Sequence, residues 1–364
     1  MRSPGAWLNV LVVDDSAVMR QMMGALLSSQ PGIRVSVAHD PFIAMSKMAL
    51  ERPDVILLDL SMPRMDGLTF LRHIMPTDPI PVVVCSGLVG PGTEAALSAL
   101  LEGAVEIVAK PTVGLAGFLN ESSERLVEVV RCAARARVRP RQRASHPRAA
   151  SGTYAVVAAP SPAPRRIPVD RVIAIGASTG GPEALRLLLE PMPPDAPAMV
   201  IVQHMPEPFT AAFARQLDQN CRIEVREARP GDRVIPGRAL IAPGNRHLVI
   251  SQDRQGYVVE FALGPPDVRH RPSVDVLFRS VAGVVGQSAV GVLLTGMGDD
   301  GSAGLLEMKR AGAWTIAQDE ATSVVFGMPK EAIRLGAADE VLPLPRIARA
   351  LLTHRASNSS SQEG

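Results

Sequence analysis

Three residue types in the C-terminal half of this chain could together break an acyl bond. Ser178 lies in Gly176-Ala177-Ser178-Thr179-Gly180-Gly181 and His204 in Gln203-His204-Met205-Pro206. Two carboxylates, Asp299 and Asp300, lie in Thr295-Gly296-Met297-Gly298-Asp299-Asp300-Gly301. A serine hydroxyl attacks a carbonyl only when a base takes its proton, and neutral histidine does this near pH 7. A carboxylate then fixes the imidazole tautomer and stabilises the imidazolium. Backbone N–H groups where Gly181-Pro182-Glu183 opens a helix could receive an oxyanion. The order Ser, His, Asp is not that of α/β-hydrolases, in which Asp or Glu precedes His. His354 falls in the Ser-rich tail and is a poor base. Each motif also has an ordinary reading: a turn serine, a strand-end histidine, a Gly-Asp-Asp-Gly turn. A Gly-rich turn can also cradle phosphate, but no Walker lysine follows this one. The joint occurrence in this order favours a serine hydrolase.

A second cluster lies in the N-terminal part. Asp14, Asp15 and Asp59 each follow an apolar run, as do Ser86 and Lys110. Three carboxylates at neighbouring strand ends repel one another unless a cation neutralises them. A hard divalent ion with oxygen ligands, Mg²⁺, suits them. A lysine charge and a hydroxyl donor are what a phosphoryl group on a carboxylate needs. Strand-end aspartates also cap helices, which would explain Asp15 alone but not the whole set.

The elements that must position these groups are short and apolar. Strands are expected at Leu8–Val13, Val35–Ala38, Val55–Leu58, Val82–Cys85 and Ile107–Ala109, and helices at Ala17–Ser28 and Phe42–Leu50. Asp40-Pro41 supplies a cap and a first-turn proline for the second helix. Strands alternating with helices predict a parallel sheet covered on both faces. From Arg131 to about Pro168 apolar periodicity vanishes and Arg, Ala, Ser and Pro dominate, which reads as a basic linker. Alternation resumes with Val172–Ile175, Met199–Val202 and Gly291–Leu294. Between the last two, Pro230-Gly231, Pro236-Gly237 and Pro243-Gly244 suggest a small antiparallel section.

The N-terminal motifs resemble the receiver domain of two-component signalling. Val12-Val13-Asp14-Asp15-Ser16 and the run from Leu57 to Gly67, Leu-Leu-Asp-Leu-Ser-Met-Pro-Arg-Met-Asp-Gly, carry the resemblance. It implies Asp59 as phosphoryl acceptor. Asp14, Asp15, Asp59 and the backbone carbonyl of Ser61 would ligate Mg²⁺, and Ser86 and Lys110 would hold the phosphoryl group. Pro111 matches the family's cis-proline position. Receivers often place an aromatic residue shortly before the lysine; here Glu106 and Ile107 occupy that stretch.

With the receiver, the linker and the Ser–His–Asp half taken together, nearly the whole chain resembles the CheB family of chemotaxis protein-glutamate methylesterases. The segments 269–278 (RHRPSVDVLF), 314–318 (WTIAQ) and 326–330 (FGMPK) add to the likeness. The resemblance implies Ser178 as nucleophile, His204 as base and Asp300, over Asp299, as orienting acid. It also implies Met297 N–H, with Thr179 nearby, at the oxyanion site. The expected fold is α/β, with two doubly wound parallel-sheet domains: a flavodoxin-like receiver at 1–125 and a methylesterase domain at 169–355. The linker would span 126–168 and a disordered tail 356–364. The implied activity is hydrolysis of receptor glutamate γ-methyl esters and deamidation of receptor glutamines, switched on by phosphorylation. The expected cofactor is Mg²⁺ for the receiver and none for ester hydrolysis. Expected partners are the methylated chemoreceptor cytoplasmic domain and a chemotaxis histidine kinase.

The totals fit this reading. A chain of 364 residues can hold two cores. A net charge of +2 gives no global pull towards nucleic acid, and the helix-turn-helix output of a DNA-binding regulator is missing. No apolar run reaches the ~20 residues of a membrane span. Three cysteines without metal-ligand spacing fit a reducing cytoplasm, the expected location.

Overall fold

Runs of Val, Ile and Leu closed by Asp, Ser or Gly build both sheets, because a parallel strand covered by helices on both faces needs apolar residues on both. The computed structural model describes residues 7–87, 91–110, 118–138, 171–264 and 270–353. The N-terminal part alternates β1 (Leu8–Val13), α1 (Ala17–Ser28), β2 (Ile33–Ala38), α2 (Pro41–Leu50), β3 (Val55–Asp59), α3 (Gly67–Ile74), β4 (Val82–Ser86), α4 (Pro91–Leu101), β5 (Glu106–Ala109) and α5 (Phe118–Ala133). Its parallel sheet has the order β2-β1-β3-β4-β5. This doubly wound order puts the ends of β1 and β3 side by side, where ligands of such sheets bind. Strands β3 and β4 are buried throughout.

Local capping fits the sequence. Ser16 Oγ accepts from Met19 N, Asp40 from Ile43 N and Asp66 from Thr69 N, at the starts of α1, α2 and α3. Such caps satisfy amides that have no partner within the helix.

The C-terminal part begins with β6 (Val172–Ala177), α6 (Gly181–Leu189), β7 (Ala198–Gln203) and α7 (Glu207–Asp218). Then follow β8 (Glu224–Glu227), β9 (Arg238–Ile241), β10 (His247–Asp253), β11 (Gly256–Ala262) and α8 (Val274–Val284). The last elements are β12 (Ala289–Leu293), α9 (Ser302–Arg310), β13 (Trp314–Gln318), α10 (Met328–Arg334), β14 (Glu340–Leu342) and α11 (Leu344–Thr353). Seven strands form one parallel sheet, β14-β13-β12-β6-β7-β9-β8. The expected antiparallel section is the hairpin β10–β11. The turn-rich stretch after β8 joins it through an antiparallel bridge between Arg233 and Val258. The residues between β8 and β9 double back, with Gly231 N and Val234 N bonded to Val259 O and Tyr257 O of β11, so β9 pairs parallel with β7.

The linker boundary needs correction. Helix α5 runs to Ala133, so residues 126–133 of the expected linker belong to the first sheet's last helix. Leu126, Val129, Val130 and Ala133 are buried there, a helical spacing that the neighbouring arginines obscure. Residues 139–168, Pro111 and the tail lie outside the described residues. The two parts touch directly: α4 packs on α6 and α7, and Arg137 N donates to Val324 O at 2.9 Å. Among the described residues no helix is long and apolar enough to cross a membrane.

Candidate active site

Strands β6, β7 and β12 are neighbours in the second sheet, and their parallel register brings three separate motifs to one edge. Ser178 follows β6, His204 follows β7, and the loop from Thr295 to Gly301 follows β12. All three strands are fully buried, so the sheet fixes where these loops start.

The nucleophile turn is tight. Gly180 has φ +75° and opens α6, a conformation glycine adopts without strain. Ser178 N donates to Thr295 O at 3.0 Å, and Thr295 Oγ1 donates to Thr179 O at 3.0 Å. Gly296 packs so closely that an added Cβ would lie 2.7 Å from Ser178 Cβ. The side-chain amide of Gln203 donates to the carbonyls of Ser178 and His204, both at 3.0 Å. Ser178 is buried, with 8% exposure, so a substrate must fit closely to reach it.

His204 and Asp300 meet at 2.7 Å, from Nε2 to Oδ2. The ring is therefore reversed relative to serine proteases, where the carboxylate binds Nδ1. Here Nδ1 is buried and has no hydrogen-bond partner among the described residues. A buried imidazole nitrogen without a donor is free to accept a proton, and nucleophile–base bonds often tighten only with substrate bound. His270 stacks on His204 with ring centroids 4.4 Å apart and 19° between planes. A cavity of about 140 Å³ lies there, lined by both histidines and by Arg125 of α5.

Asp300 is held by the start of α8. Its Oδ1 accepts from Ser273 Oγ at 2.8 Å and Asp275 N at 3.0 Å, and its Oδ2 accepts from Val274 N at 2.8 Å. Burial alone would raise the Asp300 carboxyl. The His204 hydrogen bond and charge and the amides of Asp275 and Val274 outweigh burial and hold it well below the usual range. Ser273 also caps α8 through Val276 N. Asp299 makes none of these contacts, so the choice between the two carboxylates is decided by α8. Met297 and Thr179, expected near an oxyanion, lie on the two loops joined by the Thr295 bonds.

The sequence reading did not assign roles to Gln203, Ser273, His270 or Thr295. All four sit inside motifs already quoted from the chain, and Gln203 adjoins His204. Their partners come from other strands and loops, which spacing cannot supply.

In the first sheet, Asp14, Asp15 and Asp59 present carboxylate oxygens within 4.8 Å of one another. Asp14 and Asp59 are buried and Asp15 is exposed. Lys110 Nζ bridges two of them, 3.0 Å from Asp14 Oδ2 and 2.9 Å from Asp59 Oδ2. Burial raises the Asp14 carboxyl against the pull of Lys110 and the Ser16 amide. Burial would lower Lys110, but its bonds to Asp59 and Asp14 hold it above its ordinary value. Ser61 contributes its N–H to Asp59 Oδ1 at 3.2 Å. Ser86 ends β4 beside β5, in register with Ala109. The oxygen-only donor set with one exposed member fits a Mg²⁺ ion. The three cysteines are free thiols. Burial pushes Cys132 up to about 12 and Cys221 up to about 11, and raises Cys85 as well, so none competes with Ser178 as a nucleophile near pH 7.

Comparison with known proteins agrees with this division. Residues 10–114 match the response regulator receiver domain family, and residues 173–351 match the CheB methylesterase family. Protein-glutamate methylesterase/protein-glutamine glutaminase 1 of Anaeromyxobacter dehalogenans (strain 2CP-C) is 59% identical over 348 residues, covering 94% of this chain and 98% of the relative. Protein-glutamate methylesterase/protein-glutamine glutaminase 2 of Rhodospirillum rubrum is 55% identical over 360 residues, covering 96% of this chain and 99% of the relative. The Thermotoga maritima CheB methylesterase catalytic domain, a crystal structure, covers 50% of this chain and 97% of its own at 38% identity and TM-score 0.49. With likeness of this degree over nearly its whole length, and with a carboxylate cluster on one sheet and a serine, a histidine and an aspartate on the other, the chain belongs to the CheB methylesterase family and carries a response-regulator receiver domain ahead of its methylesterase domain.

Proposed function

We propose that the protein hydrolyses glutamate γ-methyl esters on chemoreceptors, and deamidates specific receptor glutamines, under control of receiver phosphorylation. The observation that carries the reading is the pair His204–Asp300, which leaves a buried imidazole nitrogen, unpartnered among the described residues, beside the turn that bears Ser178.

In this mechanism Ser178 Oγ attacks the ester carbonyl while His204 Nδ1 takes its proton. Asp300, anchored by Ser273, Val274 and Asp275, keeps the Nε2–H tautomer and offsets the imidazolium charge. Amides near Met297 and Thr179 would receive the oxyanion. His204 then returns the proton to the leaving methoxide, and methanol departs. Water, deprotonated by His204, hydrolyses the glutamyl-serine ester to glutamate and restores Ser178. With glutamine as substrate the leaving group is ammonia.

Asp59 is the proposed phosphoryl acceptor, with Ser86 and Lys110 as ligands of the transferred group. Asp14, Asp15, Asp59 and the Ser61 carbonyl would hold Mg²⁺, which neutralises phosphoryl charge when bound. Arg125 lines the His204 cavity, so α5 stands at the mouth of the site in this arrangement. Phosphorylation would shift the population towards an arrangement in which a receptor helix gains access. A tenfold activation needs only about 1.4 kcal/mol of differential stability. The proposed partners are the receptor's cytoplasmic domain and a chemotaxis histidine kinase, in the cytoplasm.

The test is methanol release from methylated receptor cytoplasmic domain, with and without a small phosphodonor plus Mg²⁺. Release should rise with phosphodonor, and Asp59→Ala should no longer respond. Release blind to the phosphodonor in the wild-type chain would reject the receiver as gate. No release from several receptors would reject the substrate.

A further inference from the structure

Glu106 stands near the position where receivers often carry an aromatic residue, and its side chain leaves the receiver. Its Oε2 accepts the hydroxyl hydrogen of Thr179, the residue after Ser178, at 2.7 Å. One residue earlier, Val105 O accepts from Gly180 N at 3.2 Å. The receiver thus binds both residues that follow the nucleophile. The half-buried carboxyl lies between the two parts, and burial raises it above its ordinary value against the pull of the Thr179 hydrogen bond, Arg125, the Ile107 amide and His204.

Glu106 also connects directly to the phosphoryl site. It opens β5, which ends at Ala109 beside Lys110, the residue whose ammonium bridges Asp14 and Asp59. Four residues of strand span roughly 13 Å, and positions two and four apart share a face. Strand β5 is the edge of its sheet and pairs with β4 alone, whose end carries Ser86. A new group on Asp59 would therefore draw on Ser86 and Lys110, the two points that fix the far end of β5. An edge strand held on one side can shift without breaking a second ladder.

We propose that Glu106 is a positioning residue which the receiver supplies to the methylesterase site: by holding the Thr179 hydroxyl it keeps the nucleophile turn in a low-turnover geometry, and displacement of β5 releases it. This rests on the hydrolase reading above. It adds that the resting enzyme is slowed at Ser178 itself, in addition to any exclusion of the receptor. The residue after a nucleophile commonly supplies an oxyanion donor, so fixing Thr179 acts where the transition state is stabilised.

The test uses the unphosphorylated full chain and a small fluorophosphonate, whose size removes receptor exclusion from the readout. Glu106→Gln keeps an oxygen that can accept from Thr179, whereas Glu106→Leu and Glu106→Met fill similar space without an acceptor. Labelling of Ser178 should be about tenfold faster in the Leu and Met variants, equivalent to ~1.4 kcal/mol. Gln should stay within about twofold of wild type, near the precision of such comparisons. A phosphodonor with Mg²⁺ should speed wild type and Gln but add little to Leu or Met. If Gln is released as fully as Leu and Met, the hydrogen bond is not the restraint and the proposal fails. It fails equally if Leu and Met label at the wild-type rate while wild type responds to phosphodonor; the hydrolase reading would survive that result. Absence of Ser178 labelling in every variant, with phosphodonor present, would sink both.

Discussion

Replacing Asp300 by Asn alters only one atom, yet the structure implies a large loss. The carboxylate accepts four hydrogen bonds, from His204 Nε2, Ser273 Oγ, Val274 N and Asp275 N. Asparagine has one acceptor oxygen and one donor group. If its NH₂ replaces Oδ2, it faces His204 and the Val274 amide. His204 must then accept at Nε2 and carry its proton on Nδ1, the nitrogen needed as base. If the NH₂ replaces Oδ1, it faces the Asp275 amide, which can only donate. The imidazolium loses its counter-charge in either case. The analogous change in serine proteases costs about 10⁴-fold in kcat, or ~5.5 kcal/mol of barrier. We expect a similar loss in methanol release here, with most of the fold retained. The sign of the pH effect is also fixed. The folded pKa of Asp300 lies below its unfolded value, so its contribution to stability is fully present above about pH 4 and is lost only as pH falls through the depressed folded pKa. The acid limb of the rate therefore does not arise from protonation of Asp300. An Asp300→Asn enzyme within tenfold of wild type at pH 7 would refute the assignment of Asp300 to His204.

Three further outcomes are expected. Ser273→Ala removes a helix cap and an Asp300 ligand, so unfolding free energy should fall by about 1 kcal/mol and kcat should fall with it; a change in thermal midpoint alone would detach Ser273 from the site. Gly296→Ala places a methyl against Ser178 Cβ, so fluorophosphonate labelling of Ser178 should slow sharply, and unchanged labelling would show that the loop can move away freely. Lys110→Met removes the cation bridging Asp14 and Asp59. Mg²⁺ should then raise its melting temperature by more than that of wild type, while phosphodonor stimulation disappears; an equal Mg²⁺ shift would count against the carboxylate cluster as the ion's site.

Much of the scaffold was legible because its signals are local. Apolar runs located β1 to β7 and β12 to within two residues, and Asp40-Pro41 marked the start of α2. The end of α5 was not legible. Leu126, Val129, Val130 and Ala133 keep a buried face, but the arginines around them give the same stretch a linker's composition. The parallel placement of β8 and β9 was likewise hidden, since Pro-Gly turns serve hairpins and doubled-back loops alike. At the site, the residue types Ser178, His204 and Asp300 were visible, and so was the carboxylate set of the receiver.

The sequence by itself determined the elements and the chemical groups at their ends, because hydrophobic period, capping and turn chemistry act within a few residues. Only the tertiary structure decided which groups meet and through which atoms. The side-by-side placement of β6, β7 and β12 brings together residues 26 to 122 positions apart along the chain. It turns His204 so that Nε2 faces Asp300, and it selects Asp300 over Asp299 because the amides of α8 point at one carboxylate. It also carries Glu106 across to Thr179, 73 residues away. These are contacts between distant segments, set by packing and by the need to satisfy buried polar groups, and no local pattern encodes them.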